Sequence, residues 1–202
     1  MAESHLIPLL ESNLQVLRVL SEDALRALLL KAFQGGSVEP LVLLEDPSIR
    51  QQLHDVFVRA DVDLQETFKS ALVRAVSEWH PVEPEGREPT REKLNVLRDL
   101  AYLAYDIRAS GVIQILRRHI EFLARINRNF TEPKVRGTIA TLIAVIGGFA
   151  PLPEVRHIFE RFFLDTSFNA RFAAQLLNGL CLCDPEQYPR YLPRFLELAE
   201  QH

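Results

Sequence analysis

The stretch from Thr131 to Phe149, TEPKVRGTIATLIAVIGGF, carries the pattern that decides the fold class of this chain. It opens with Thr131 and then Pro133, and proline is favoured in a first helical turn because its missing N–H would have no partner there. Apolar residues then recur at three- and four-residue spacing, and no residue from Ile139 to Phe149 is charged. We therefore expect a central helix that other elements cover on most sides, and the uncharged run Leu176–Cys183 predicts a second one.

The first of these apolar runs is too short to cross a membrane. Ile139–Phe149 has eleven residues, which span about 16 Å as a helix, whereas the hydrocarbon core of a bilayer is about 30 Å thick. Residues Met1–His5 also lack the basic and apolar regions that begin a signal peptide. We expect a cytoplasmic protein that does not contact a membrane.

Similar signals repeat along the chain and predict an all-α fold. From Leu64 to Trp79 the apolar positions follow the helical period, and Asp63 precedes them at the position of an N-terminal cap. Thr90 and Asp184 stand before further helices in the same way. We predict about ten helices, at residues 3–19, 22–34, 47–60, 63–80, 91–109, 111–128, 132–148, 153–164, 167–183 and 187–201.

The composition is that of a folded helical protein. Of the 202 residues, 48% are hydrophobic and 25% are charged, which is the balance of a globular chain rather than a disordered one. The 8 glycines are too few for the tight turns of sandwiches and barrels, so an all-β fold is disfavoured. Cys181 and Cys183 are poorly placed for a disulfide on one helix, and we interpret them as small apolar residues.

The segment 81–89, PVEPEGREP, contains three prolines and four charged residues and predicts an extended link. We take residues 1–80 as an N-terminal helical unit and residues 90–202 as a second unit. A long loop within one continuous stack of helices is equally compatible with this segment.

Within residues 90–202 the predicted helices form three consecutive hairpins, whose first residues are 41 and 35 positions apart. The hairpins pair 91–109 with 111–128, 132–148 with 153–164, and 167–183 with 187–201. This spacing, with the Asp-Pro and Thr-x-Pro openings, resembles HEAT and armadillo-type α-solenoids. The resemblance implies a curved stack that binds a protein, a peptide or nucleic acid. An irregular helical bundle is the alternative architecture.

The sequence predicts no catalytic residues, no cofactor and no metal. Gly35-Gly36 and Gly147-Gly148 lack the lysine and further glycine of phosphate-binding loops, and we interpret them as a helix stop and as a helix end or close packing. Paired carboxylates lie at caps or in the link, where we expect solvated side chains rather than acid–base catalysis. The histidines lack metal-ligand spacing; they are His5, His54, His80, His119, His157 and His202.

The distribution of charge points to one candidate binding surface. The net charge of −4 gives no overall attraction for nucleic acid or anionic lipid. Residues 107–136, however, contain seven basic and two acidic residues. On the helix predicted at 111–128, four arginines share one face opposite Leu116, Ile120 and Ile126. This arginine stripe consists of Arg117, Arg118, Arg125 and Arg128, and we expect Arg108, Lys134 and Arg136 to extend it.

Three interpretations of the arginine stripe are open at this point. It is a solvated face in which Glu121 pairs with Arg125, a surface for an acidic protein segment, or a surface for a nucleic-acid backbone. Phe122 is the one aromatic residue beside it in the helix, so stacking of bases is poorly supported.

We predict a non-enzymatic protein-interaction module, such as an adaptor, a scaffold or a regulatory domain. The alternative is a nucleic-acid-binding helical-repeat protein. A third possibility is an enzyme similar to the HEAT-like DNA glycosylases. We assign no residue of this chain to the functional positions of those enzymes.

Overall fold

The computed structural model describes residues 51, 54–55, 57–59, 62–79, 89–127 and 130–200. Helices and short connections make up this part of the chain, and no β-strand occurs in it. Two 3₁₀ turns, Ser110–Val112 and Pro185–Gln187, precede the third and the seventh α-helix of the described residues. The α-helices are α1 (Val62–Glu78), α2 (Arg91–Asp106), α3 (Ile113–Ile126), α4 (Pro133–Gly147), α5 (Pro153–Leu164), α6 (Thr166–Cys183) and α7 (Tyr188–Glu200).

The all-α prediction is confirmed for the described residues. Each helix predicted from residue 63 onward is present, with ends that differ by at most three residues. The helices predicted at 3–19 and 22–34 lie outside the described residues, as does Gly35-Gly36, whereas the described part of 47–60 is helical. The link predicted at 81–89 is described only at its last residue, so the domain division that rests on it stays a prediction.

Two of the predicted caps differ in the structure. α1 begins one residue before Asp63, which therefore lies in the first turn. The cap of α4 is Glu132 rather than Thr131, and its side chain accepts a hydrogen bond from the backbone N–H of Lys134. The Thr131 hydroxyl donates to the side-chain oxygen of Asn127 at 3.2 Å.

Packing divides the described residues into two compact units. The first contains the described residues up to 79 and Asn95–Ala109, and the second contains residues 89–94 and 110–200. Most of α2 therefore belongs to the first unit, whereas the sequence prediction placed all of it in the second. In the first unit the rings of Phe57 and Phe68 meet edge to face at 6.3 Å, which packs the segment before α1 against that helix.

In the second unit, α6 is the central helix. It packs on α4, α5 and α7, while α4 also packs on α3. α5 thus packs most closely on α6, the helix that follows it, rather than on α4, its predicted hairpin partner. Side-chain contacts join α3 to α5 and α5 to α7, so these three helices lie on one side of α4 and α6. The uncharged run at Ile139–Phe149 is mostly buried as predicted, whereas Leu182 in the run Leu176–Cys183 is 54% exposed.

The close packing of α5 depends on two glycines. A Cβ atom built on Gly179 would overlap the ring of Phe159, and one built on Gly147 would lie 3.4 Å from the same ring. Phe159 is fully buried. Gly147-Gly148 therefore combines both predicted roles, since α4 ends at Gly147 and this residue also faces the ring of a neighbouring helix.

We predict that Gly179→Ala destabilises the protein. Alanine is the better helix former by about 1 kcal/mol, but its methyl group would force the Phe159 ring or the helix to move, at a typical cost of about 1–3 kcal/mol for overpacking. Urea unfolding followed by circular dichroism should therefore give a lower midpoint than that of the wild type.

Gly137→Ala provides the matched control. A Cβ atom at Gly137 meets no atom within 4 Å, so only the gain in helix propensity remains, and we expect a slightly higher midpoint. Equal midpoints for the Gly179 and Gly137 variants would contradict the described packing of Phe159.

Candidate functional site

α3 carries the arginine stripe and separates polar from apolar side chains as the sequence predicts. Leu116 and Ile120 are completely buried, whereas Arg118 and Arg125 are exposed. Arg117 is half-buried, because its guanidinium faces the neighbouring carboxylate of Glu121 rather than open solvent.

The edges of the predicted surface differ from the expectation. Ile126, predicted on the buried face, is 37% exposed. Arg128 lies outside the described residues. Of the three residues expected to extend the stripe, Lys134 and Arg136 are exposed at the start of α4, and Arg108 belongs to the first unit.

Glu121 forms no ion pair with Arg125 and instead bridges two other arginines. Its Oε1 lies 2.7 Å from Nη1 of Arg117 and 3.3 Å from Nη2 of Arg161, which is on α5. The side chains of Glu121 and Arg117 are 28% and 22% exposed, so this pair is only partly screened by water. The bridge neutralises the carboxylate and links α3 to α5.

A second contact gives the relative direction of α3 and α5. Gln114 Nε2 donates to Glu154 Oε2 at 3.5 Å, across 40 residues of sequence. Glu121 and Arg161 are separated by the same interval. The contact of Glu121 lies about two helical turns after that of Gln114, both on α3 and on α5. The two helices therefore run side by side in the same direction.

A groove of about 500 Å³ lies between the C-terminal parts of α3 and α5. The connection before α4 and the first turn of α6 close its end. We call it the α3–α5 groove. Its lining residues are Glu121, Ala124, Arg125, Phe130, Arg161, Phe162, Asp165 and Phe168.

Phe130 is held in the groove by an unusual backbone conformation. Its φ of 51° lies in the left-handed region, which is costly for a bulky side chain. The buried amide of Asn127 stabilises this connection: its Oδ1 accepts from the backbone N–H and the hydroxyl of Thr131, and its Nδ2 donates to the carbonyl of Glu132. These bonds hold the ring of Phe130 against α6.

The floor of the groove is an aromatic cluster. Phe162 and Phe168 are stacked, with ring centroids 4.6 Å apart. Phe130 meets Phe168 at 5.7 Å and Phe172 at 5.3 Å, both edge to face. Each of these rings is at least nine-tenths buried, so only narrow parts of the cluster face the groove.

The rim of the groove is charged, but its carboxylates have partners within the protein. Glu121 pairs with two arginines, and Asp165 Oδ1 accepts from the backbone N–H of Phe168 at 3.4 Å in the first turn of α6. Arg125 is exposed and lies 5.7 Å from the ring of Phe122, and Arg161 is 61% exposed. Arg118 and Arg125 form no ion pair with any described residue, whereas the exposed Asp165 adds a negative charge to the same rim.

The sequence analysis identified the α3 side of this site but missed the α5 side. Arg161 follows Glu121 by 40 residues, which is close to the predicted repeat spacing, so that spacing was a usable signal. Phe130 and Phe168 gave no such signal, because no local pattern predicts either the left-handed backbone or the long-range ring contacts.

A second polar cluster connects α5 to α7. Tyr191 donates to Glu160 at 2.7 Å, and Arg156 binds both Glu160, at 3.1 Å, and Asp184, at 2.9 Å. The hydrogen bond from Tyr191, followed by that from Arg156, lowers the pKa of Glu160. Burial and the Glu160 carboxylate raise the pKa of the Tyr191 phenol. Asp184, predicted as the cap of the last helix, is instead the ion-pair partner of Arg156, and α7 begins at Tyr188.

Chemically reactive groups are sparse in the described part of the chain. No three His, Cys, Asp or Glu side chains converge there to hold a metal ion. Cys181 and Cys183 are free, half-buried thiols, and burial raises the pKa of both. No described helix combines the length and the apolar character needed to span a bilayer.

Comparison with protein families, curated proteins and solved structures found no match to this chain. The function is therefore inferred from the α3–α5 groove, the arginine stripe and the packing around them.

We predict that Tyr191→Phe lowers stability at neutral pH by about 1 kcal/mol, because it removes a hydrogen bond to a carboxylate and keeps the ring contact with Phe163. The lowered pKa of Glu160 means that this stabilisation is present above the usual carboxyl pKa and is lost as the pH falls through the lowered value. The difference between variant and wild type should therefore shrink below about pH 4.

Unfolding midpoints measured at neutral and acidic pH test this prediction. In a Glu160→Gln background the effect of Tyr191→Phe should no longer depend on pH. A difference that stays constant with pH in the wild-type background would contradict the assigned role of the carboxylate.

Proposed function

We propose that this chain is a non-enzymatic protein-interaction module that binds an acidic segment of a partner protein through the arginine stripe on α3. The observation that carries the proposal is the pair of exposed guanidiniums, Arg118 and Arg125. Neither has an ion-pair partner among the described residues, and Arg125 lines a groove. Arginine forms directional, charge-assisted hydrogen bonds with carboxylates, so such a surface suits an acidic segment.

The proposal includes a short helical-repeat array of the HEAT or armadillo type in the second unit. The parallel course of α3 and α5, with contacts at a constant interval of 40 residues, supports it. In such arrays equivalent helices of successive repeats lie side by side and form a continuous binding surface.

One observation favours a protein partner over nucleic acid. The phenylalanines of the groove are stacked on one another and mostly buried, so they present no open faces for bases.

The test is an affinity capture of the tagged full chain from the lysate of its native host, with and without nuclease. We expect a protein partner that survives nuclease and is lost with Arg118→Glu/Arg125→Glu, because the double substitution replaces attraction for carboxylates by repulsion. This pair is preferred to one containing Arg117, whose ion pair with Glu121 supports the packing of α3 on α5.

Arg74→Glu/Arg91→Glu is the matched control, since it makes the same charge change at exposed arginines on α1 and α2. The control should retain the partner, and both variants should keep the helical content of the wild type. Recovery that disappears with nuclease would support the nucleic-acid alternative, and a partner retained by both variants would refute the proposal.

A further inference from the structure

We propose that the arginine stripe binds its acidic partner segment as an amphipathic α-helix that lies along α3. This inference rests on the proposed function and deepens it, because it assigns the conformation of the segment and the spacing of its carboxylates. The partner helix presents two Asp or Glu residues seven positions apart, with an aliphatic residue between them.

The spacing of the two exposed arginines fits a helical partner. Arg118 and Arg125 are seven residues apart on α3, which places them on one side of the helix and about 10.5 Å apart along its axis. Two residues of a second helix that are seven positions apart have the same separation and also share one face. In a β-strand, by contrast, side chains of one face repeat at about 6.6 Å and about 13 Å, so neither interval matches.

An apolar strip beside the arginines supplies the second part of the contact. It consists of Phe122, which is half-buried and one turn from each arginine, and Ile126, which is 37% exposed. A partner helix covers this strip with the residue three or four positions after its first carboxylate, because that residue lies on the same face. A polyproline II segment also brings carboxylates about 9 Å apart, but the residues between them point away from α3.

The neighbouring side chains leave the two arginines available to a partner. The guanidinium carbon of Arg125 lies 5.7 Å from the ring centre of Phe122, and a guanidinium placed over a ring keeps its N–H groups available to carboxylates. The carboxylate of Glu121 faces α5, where it pairs with two other arginines, and Asp165 follows the last residue of α5. Both acidic residues therefore lie on the α5 side of the exposed arginines, and the helical period places the apolar strip on the other side.

The test begins with selection of a random 16-residue peptide library on the full chain. We expect the enriched peptides to share two Asp or Glu residues seven positions apart, with an aliphatic residue three or four positions after the first. Binding of one such peptide is then measured by fluorescence anisotropy with the wild type and with Arg118→Glu/Arg125→Glu. The double variant should weaken binding by about tenfold or more. A peptide with lysine in place of both carboxylates should bind the variant again, because the charges are exchanged rather than lost.

Ile126→Gln tests the apolar strip, and Leu196→Gln, at an exposed leucine on α7, is the matched control. We expect Ile126→Gln to weaken the peptide about fivefold through lost apolar burial, and the control to leave its affinity unchanged. A proline in the middle of the peptide should abolish binding to the wild type, because it breaks the helix. This last result does not depend on whether a protein variant folds.

Each other outcome overturns the inference. No enrichment, enrichment without the seven-residue spacing, binding that survives the central proline, or equal effects of the two glutamine variants refute a helical partner. If one of these results is found while Arg118→Glu/Arg125→Glu still loses the partner captured from the lysate, the proposed function stands and only this inference fails. If the peptides and the captured partner both bind the double variant normally, the proposed function fails as well.

Discussion

The contact of the Phe159 ring with Gly147 and Gly179 is the constraint on which the second unit depends. Because neither glycine has a side chain, α5 packs deeply against α6, and the buried Phe159 ring lies against both glycines. This depth fixes the position of the opposite, polar face of α5. Arg161 is thereby brought within 3.3 Å of Glu121 on α3, so a packing event in the core determines an ion pair near the surface.

The α3–α5 groove follows from the same arrangement. α3 and α5 run in the same direction, polar contacts join them, and the groove lies near their C-terminal ends. The chain must leave both helices at this point, so the two connections border the groove. Phe130 lies in the first connection and Asp165 in the second, and together they supply one apolar and one polar boundary.

The sequence predicts those features that depend on neighbours along the chain. Helical periodicity and capping signals gave the positions of α1 to α7, and the helical wheel gave the exposed arginines of α3. Features fixed by distant residues could not be predicted this way. Glu121 pairs with Arg117 and Arg161 rather than with Arg125, and the pair with Arg161 depends on α5, which lies beside α3.

Recognition by the arginine stripe depends on charge. Exposed guanidiniums attract any polyanion, and the attraction falls as salt screens it. The exposed carboxylate of Asp165, which lines the same groove as Arg125, reduces the positive charge presented near the C-terminal end of α3. On the proposed function, the directional hydrogen bonds of Arg118 and Arg125 with carboxylates, rather than a high density of positive charge, select the acidic segment.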